Sequence, residues 1–382
     1  MAHAEAPAKP STAGERLPGT VAARGAHLPL HGVRFRSWRI GVLPALGIAL
    51  AMVIVVAAAV GAVPIAPTTS AAVLLNATHL FHIPRTWPVA DEVILLQLRL
   101  PRVLGAALVG AALAVAGALF QGLLRNPLAD PFLLGTSAGA ALGASIGFAV
   151  PALFAADVLG FSVTAVLALA GALLAVGLVY TLATRRGETP VVTLLLAGVA
   201  VSAMLTAAQT LIVALQERAG WRVLDFYYWL AGAVNVQSWT QLEVLIPVVL
   251  VAILASLLLA PALDAFAAGE EVAAYLGLHV ERTKLLIVGL AALLVATAVS
   301  ISGLVGFVGL VAPHLCRIAL GPRHRLLLPA SALVGAIFVV LSDLVARAIV
   351  APSELPLGVV TALVGGPFFL LLLRRAGRGY SW

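Results

Sequence analysis

Apolar residues run along this chain in blocks, each near the ~20 residues a helix needs to cross a bilayer. Ten such blocks fall at about 39–63, 102–123, 132–155, 160–184, 190–216, 242–263, 284–301, 304–320, 328–350 and 356–374, with short polar or basic stretches between them. An apolar core helix in a water-soluble domain explains one block of this kind, not ten. The pattern predicts an all-α integral membrane protein with about ten transmembrane helices. Residues 1–38 are polar, rich in Pro, Ala and Arg and without apolar period, so they read as a disordered tail. A single membrane domain follows over 39–375, and 376–382 form a short C-terminal tail. The block from Ile40 to Val63 exceeds the roughly 7–15 apolar residues of a signal peptide and reads as an uncleaved first span.

Composition strengthens this picture. The chain is 62% hydrophobic and 10% charged, with mean hydropathy +1.09, where a soluble domain carries about 25% charge. The net charge of +7 does not indicate nucleic acid, because the basic residues sit between apolar blocks rather than in an aromatic-laced patch. Their distribution sets orientation instead. An even number of spans puts both termini on one side. That side holds Lys9, Arg16, Arg24, Arg34, Arg36 and Arg39 in the tail. Its loops hold Arg125, Arg185, Arg186, Arg282, Lys284, Arg317, Arg323 and Arg325, and the C-terminus adds Arg374, Arg375 and Arg378. The other side keeps six: Arg85, Arg99, Arg102, Arg218, Arg222 and Arg347. The positive-inside rule places both termini in the cytoplasm. The one cysteine, Cys316, allows no intrachain disulfide. Gly135, Gly139, Gly143 and Gly147 fall four apart, and Gly303, Gly306 and Gly309 three apart; both sets read as small-residue ridges for close helix packing.

Candidate chemistry is sparse. Two Gly-x-Ser-x-Gly segments, 135–139 and 143–147, match a hydrolase nucleophile turn, but the glycine period explains them and the strand–turn–helix context is missing. His79 and His82 are i and i+3 in an external segment, an incomplete ligand set, so no metal site is expected. A proton-coupled carrier places carboxylates inside the membrane; here Asp343 and Glu354 lie near span ends, and the middles of the spans are almost free of charge. A phosphate-binding loop needs a lysine after a glycine-rich turn. Neither lysine, Lys9 or Lys284, has that setting. The energy for transport must come from another chain, and the protein itself is not expected to be an enzyme.

Four long segments carry a resemblance: RLPRVLGAALVGAALAVAGALFQGLLRNPLADPFLLGTSAGAALGASIG at 99–147, GEEVAAYLGLHVERTK at 269–284, SGLVGFVGLVAPHLCRIALGPRHRLLLP at 302–329 and ELPLGVVTALVGGPFF at 354–369. Together they resemble the FecCD-type permease family of ABC importers for iron siderophores, heme and cobalamin, over roughly residues 40–375. The resemblance implies ten helices with spans 2–5 and 7–10 forming an inverted repeat. It also implies a functional unit of two copies of this chain, two cytoplasmic ABC ATPase subunits and a periplasmic or lipid-anchored substrate-binding protein, in membrane lipid and without nucleic acid. No cofactor is expected on this chain; ATP and Mg belong to the ATPase.

Residue roles follow from the same resemblance. The ATPase-docking element is Glu270, Glu271, Ala273, Leu276 and Gly277. Read as a short amphipathic helix capped by Gly277, it offers Ala273 and Leu276 to a groove. Arg99, Arg102 and Arg347 match external arginines that hold carboxylates of the binding protein. The cytoplasmic gate corresponds to Thr189, Val191, Val192 and Thr193, where the two valines depart from the family's small hydroxyl residues. Pathway or packing positions are Gln121, Asn126, Pro127, Thr206, Gln209, Gly303, Gly306, Gly309, Pro313 and His314. The cargo implied is an iron chelate, heme or a ferric siderophore, with cobalamin as the alternative.

Overall fold

The computed structural model describes residues 34–376, apart from 62, 80–81, 155 and 220–221. Most of the expected tails, 1–33 and 377–382, thus lie outside the described residues. The elements in order are α1 (Arg34–Ala59), α2 (Pro67–Ala77), α3 (Val89–Val93), a π-helical stretch (Ile94–Arg99), α4 (Leu100–Leu123), α5 (Thr136–Ala149) and α6 (Pro151–Phe154). A two-residue-per-strand hairpin follows, β1 (Asp157–Val158) and β2 (Phe161–Ser162). Then come α7 (Val163–Ala183), α8 (Val191–Ala219), α9 (Val223–Leu230), α10 (Trp239–Leu258), α11 (Ala260–Ala267), α12 (Glu270–Tyr275), α13 (Val280–Ser302), α14 (Val308–Leu320), α15 (His324–Ala348) and α16 (Leu357–Ala376).

Each of the ten apolar blocks contains one main helix: α1, α4, α5, α7, α8, α10, α13, α14, α15 and α16 in turn. Seven helices among the described residues are long and apolar enough to cross a membrane, and α14 and α16 are shorter apolar ones. The second span starts earlier than expected. Helix runs without a break from Val89 to Leu123, 35 residues or about 52 Å, more than the ~30 Å of hydrocarbon it crosses.

The core is a pair of matched helix sets. In the first set, α4, α5, α7 and α8 follow one another; in the second, α13, α14, α15 and α16. Within the first, α5 packs on α7 and α8, and α7 on α8; within the second, α14 packs on α15 and α16, and α15 on α16. Between them, α4 packs on α14 and α15, just as α13 packs on α5 and α7, and α4 meets α13 across the centre. Every contact has its counterpart, as an internal repeat requires.

Small residues bring these helices to backbone contact. A Cβ on Gly110 would lie 2.1 Å from the Gly335 carbonyl oxygen of α15. One on Gly139 would lie 2.3 Å from that of Gly171 in α7. The α5 glycines therefore pack as a ridge, as the four-residue spacing predicts, with Gly135 instead at the left-handed N-cap, φ 84°. The Gly303–Gly309 ridge does not form. Gly303 ends α13 at φ 61°, Gly306 lies outside any helix with open space beside it, and only Gly309 is helical.

The shortness of α5 and α14 is the second shared feature. At 14 and 13 residues they are about 20 Å long, so irregular backbone completes each pass. Irregular backbone survives at membrane depth only when buried in protein. Here a Cβ on Gly303 would meet the Trp229 carbonyl, and one on Gly309 the Pro131 ring that leads into α5.

Candidate functional site

Two clusters of polar side chains stand at opposite ends of the bundle. At the end where α4 starts and α15 stops, Asp343 is 1% exposed and sits between two guanidinium groups. Its Oδ2 accepts from Arg347 Nε at 2.8 Å, one helical turn on. Its Oδ1 accepts from Arg102 Nε at 3.2 Å and Nη2 at 3.1 Å. Arg102 then spans to Glu354 in the loop before α16, with Nη1–Oε1 at 2.9 Å and Nη2–Oε2 at 2.8 Å. This fork-on-fork pairing holds the Glu354 carboxyl below its ordinary pKa.

Arg99 and Arg347, read from the resemblance as binding-protein contacts together with Arg102, face into the chain in this structure. Both are 8% exposed, and both turn back onto the end of α1. Arg99 Nη1 donates to the Ala59 carbonyl at 3.0 Å and Ala58 at 3.4 Å, and Nη2 donates to Val63. Arg347 donates to Ala57 at 3.1 Å and Val60 at 3.2 Å. The last carbonyls of a helix have no partner of their own, and cations suit that end of the dipole. The two arginines therefore cap α1. Gly61 leaves room for this: a Cβ there would lie 2.7 Å from the Arg99 guanidinium carbon and oblige that side chain to shift. Of the three, only Arg102 keeps a side chain 23% open to a partner.

At the other end, α12 matches the segment read as a docking helix. Its C-terminus is closed by Gly277 at φ 86°, with Leu278 N–H donating to the Ala273 carbonyl, the cap expected of glycine there. The outward face differs from expectation. Ala273 is fully buried in the core, while Val272, Tyr275 and Leu276 are exposed, Tyr275 at 91%. On a six-residue helix Ala273 points at α11 and α13, so the surface is made by its neighbours. Behind α12, Lys284 is buried against Glu270, Glu281 and the Thr189 carbonyl. Thr189 is itself buried, Val191 and Thr193 half-buried, and Val192 exposed. Nearby, Asp264 of α11 accepts from His324 N–H at 3.0 Å and lies 2.7 Å from its Nδ1, closing the first turn of α15.

Three of the pathway-or-packing residues meet in one bond. Pro313 has no N–H, so the Gly309 carbonyl four residues back loses its helical donor. Gln121 Nε2 of α4, 1% exposed, donates to that carbonyl at 3.2 Å. Their association is a repair of α14, not a lining. Asn126 and Pro127 form the turn after α4, where Asn126 Oδ1 accepts from Leu128 N–H. The following Asp130 accepts from Phe132 N–H, and burial pushes its carboxyl up. Thr206 is exposed and Gln209 half-buried on α8, and His314 packs edge-on to Phe368. Ser145 donates to Leu142 of its own helix. His79 and His82 line a cavity of about 570 Å³ with Trp87 and Trp239, and no group of three metal-ligating side chains occurs among the described residues.

The chain has clear relatives. A cobalamin import system permease protein of Halobacterium salinarum is 45% identical over 287 residues, 75% of each chain. A hemin transport system permease protein of Yersinia pestis is 41% identical over 288 residues, 73% of this chain and 82% of that one. A solved metal-chelate-type ABC transporter in an inward-facing conformation superposes with a TM-score of 0.72 at 28% identity, over 87% of this chain and 98% of the other. The model of the FecCD transport family matches residues 49–375. The helix sets, their contacts and this match over most of the length agree: the chain belongs to the FecCD transport family.

Proposed function

We propose that this chain forms the membrane pathway of a binding-protein-dependent ABC importer for an iron chelate, heme or a ferric siderophore, working as two copies with two ATPase subunits in the cytoplasm. The observation that carries the reading is α12. Its exposed Val272, Tyr275 and Leu276 make an apolar face on a short helix, of the kind a groove in a partner covers. On this reading ATP is hydrolysed by the partner subunits: Lys284 follows no glycine-rich turn of the phosphate-binding kind, and its three donors are taken within the protein. Both termini lie on the cytoplasmic side with α12, by the excess of basic residues there. The sparsely buried α8 and α16, with Leu196, Met204, Leu363 and Leu370 exposed, face lipid and the second copy. The opposite end receives the substrate-binding protein, with Arg102 as the arginine placed to meet it.

Cobalamin is the second reading, favoured by the 45% identical cobalamin permease. The deciding experiment is uptake into proteoliposomes holding the chain with its ATPase and binding protein. Heme, a ferric hydroxamate and cyanocobalamin are offered in turn with ATP. ATP-driven uptake of an iron chelate alone supports the first reading; uptake of cyanocobalamin alone replaces it with the second. Uptake of none, with the ATPase bound and turning over, refutes both.

A further inference from the structure

Lys284 is one of two lysines in the chain, and it is 4% exposed. An ammonium group has three N–H donors, and three different elements take them. Glu270 Oε2, at the first residue of α12, lies 2.6 Å from Nζ. Glu281 Oε1, in the first turn of α13, lies at 3.0 Å, and the Thr189 carbonyl, just before α8, also at 3.0 Å. The second oxygen of Glu281 accepts from Thr189 N–H at 3.0 Å. Thr189 is therefore gripped at both its N–H and its C=O, and its hydroxyl lies 3.0 Å from that of Thr184.

The turn that carries Thr189 is stiff. Arg185 and Glu188 exchange two backbone hydrogen bonds, at 2.9 and 3.0 Å. Arg186 and Gly187 between them have φ of 54° and 85°, the left-handed pair of a tight hairpin turn. Such a turn moves as a body. Its far end is Pro190, whose carbonyl accepts from Leu194 N–H and starts α8. A displacement of Thr189 thus reaches the first turn of α8 directly, where Val191, Val192 and Thr193 lie.

We propose that Lys284 is the positioning residue that passes movement of α12 to the turn opening α8, so that the docking face and the cytoplasmic entrance of the pathway shift together. This rests on α12 being the ATPase-docking element. The bonding supports it: one buried cation is the shared partner of α12, α13 and the turn, and Glu270 is the ionic link from α12 to that cation. The third donor, which burial obliges to find an acceptor, finds it in the Thr189 carbonyl, so one ammonium joins α12 to the turn that opens α8.

The test measures ATP hydrolysis and cargo uptake in the same proteoliposomes, with ATPase and binding protein present. Lys284→Met keeps ATP hydrolysis within about twofold of the parent, because the exposed face of α12 is unaltered, and lowers cargo moved per ATP by about tenfold or more. Lys284→Arg, which restores a cation with several donors, recovers a large part of that ratio. Glu270→Gln, at the partly exposed edge of the cluster, lowers the ratio while leaving the lysine's bonds to Glu281 and Thr189 in place, and it serves where Lys284→Met does not insert. An unchanged ratio in Lys284→Met or in Glu270→Gln overturns the proposal. Failure of the docking reading looks different: Tyr275→Asp with Leu276→Asp would still bind the ATPase subunit at parental affinity.

Discussion

Replacing Gln121 by Met removes the one side-chain donor that serves the Gly309 carbonyl in α14. Pro313 supplies none, so that carbonyl is left buried without a partner. Such a group costs about 1–3 kcal/mol. A second change acts in the other direction: Gln121 Oε1 is buried with no hydrogen-bond partner, and its removal returns part of that cost. The single-mutant stability change is therefore the smaller and less informative number. The informative one is the coupling to Pro313→Ala, which gives α14 back its own N–H and satisfies Gly309 from within the helix. In the Pro313→Ala background the carbonyl no longer needs Gln121, and Gln121→Met should become neutral or stabilising. The expected coupling is about 1–2 kcal/mol. The four variants of the cycle are compared by reversible unfolding in detergent micelles, where a shared unfolded reference cancels. If Gln121→Met costs the same with and without the Pro313→Ala change, the repair of α14 by α4 is not what this glutamine does.

Further outcomes follow from the same geometry. Gly277→Pro cannot adopt φ 86°; ATP-driven uptake should fall by tenfold or more while the protein still inserts and forms dimers, and normal uptake would count against docking at α12. Arg102→Glu should weaken binding-protein affinity for the reconstituted transporter more than Arg99→Lys does, and the defect should shrink at 1 M salt, where the Debye length is about 3 Å; a defect insensitive to salt would remove Arg102 from that interface. Glu354 has its carboxyl pKa depressed by the Arg102 hydrogen bonds. Its contribution to stability is therefore present above the unfolded carboxyl pKa and lost as pH falls through the folded one. The stability gap between parent and Glu354→Gln should thus be widest near neutral pH and close under acid; a gap that persists at low pH would contradict the pairing. Gly61→Ala, which drives a Cβ into the Arg99 guanidinium, should destabilise the fold, whereas Gly277→Ala, with open space around it, should cost only the strain of its positive φ.

Much of the fold was legible because membrane spans are written in composition. Ten apolar blocks became ten helices, and the glycines of α5 packed where their spacing placed them. What stayed hidden has physical reasons. Gly303, Gly306 and Gly309 have helical spacing, but only Gly309 is helical: α14 starts at Val308, and the chain before it is irregular where Gly303 passes the Trp229 carbonyl. The arginines were legible as residues of one end, but a guanidinium that caps a helix 40 residues earlier in the chain (Arg99) or 287 earlier (Arg347) leaves no local signal. One clue was available: Asp343 and Arg347 are four apart on a helix and ready to pair. The 269–281 segment does form the short helix that its motif suggests, but Ala273 faces the core rather than outward, since a six-residue helix has too few turns for the apolar period to say which side is inward. Lys284 gave the weakest sign of all. It was counted as an orientation signal, when burial beside two carboxylates makes it a structural junction.

The capping of α1 also bears on the order in which this protein is made. Helix α1 enters the membrane first, but two of the carbonyls at its end, those of Ala57 and Val60, are served by Arg347 near the close of α15. Those groups must wait for nearly three hundred residues of further synthesis before they meet their donor. Until then the end of the first helix is held by Arg99 alone, through Ala58, Ala59 and Val63. Chains interrupted before α15 carry that half-fastened end as a mark by which an incomplete permease differs from a finished one.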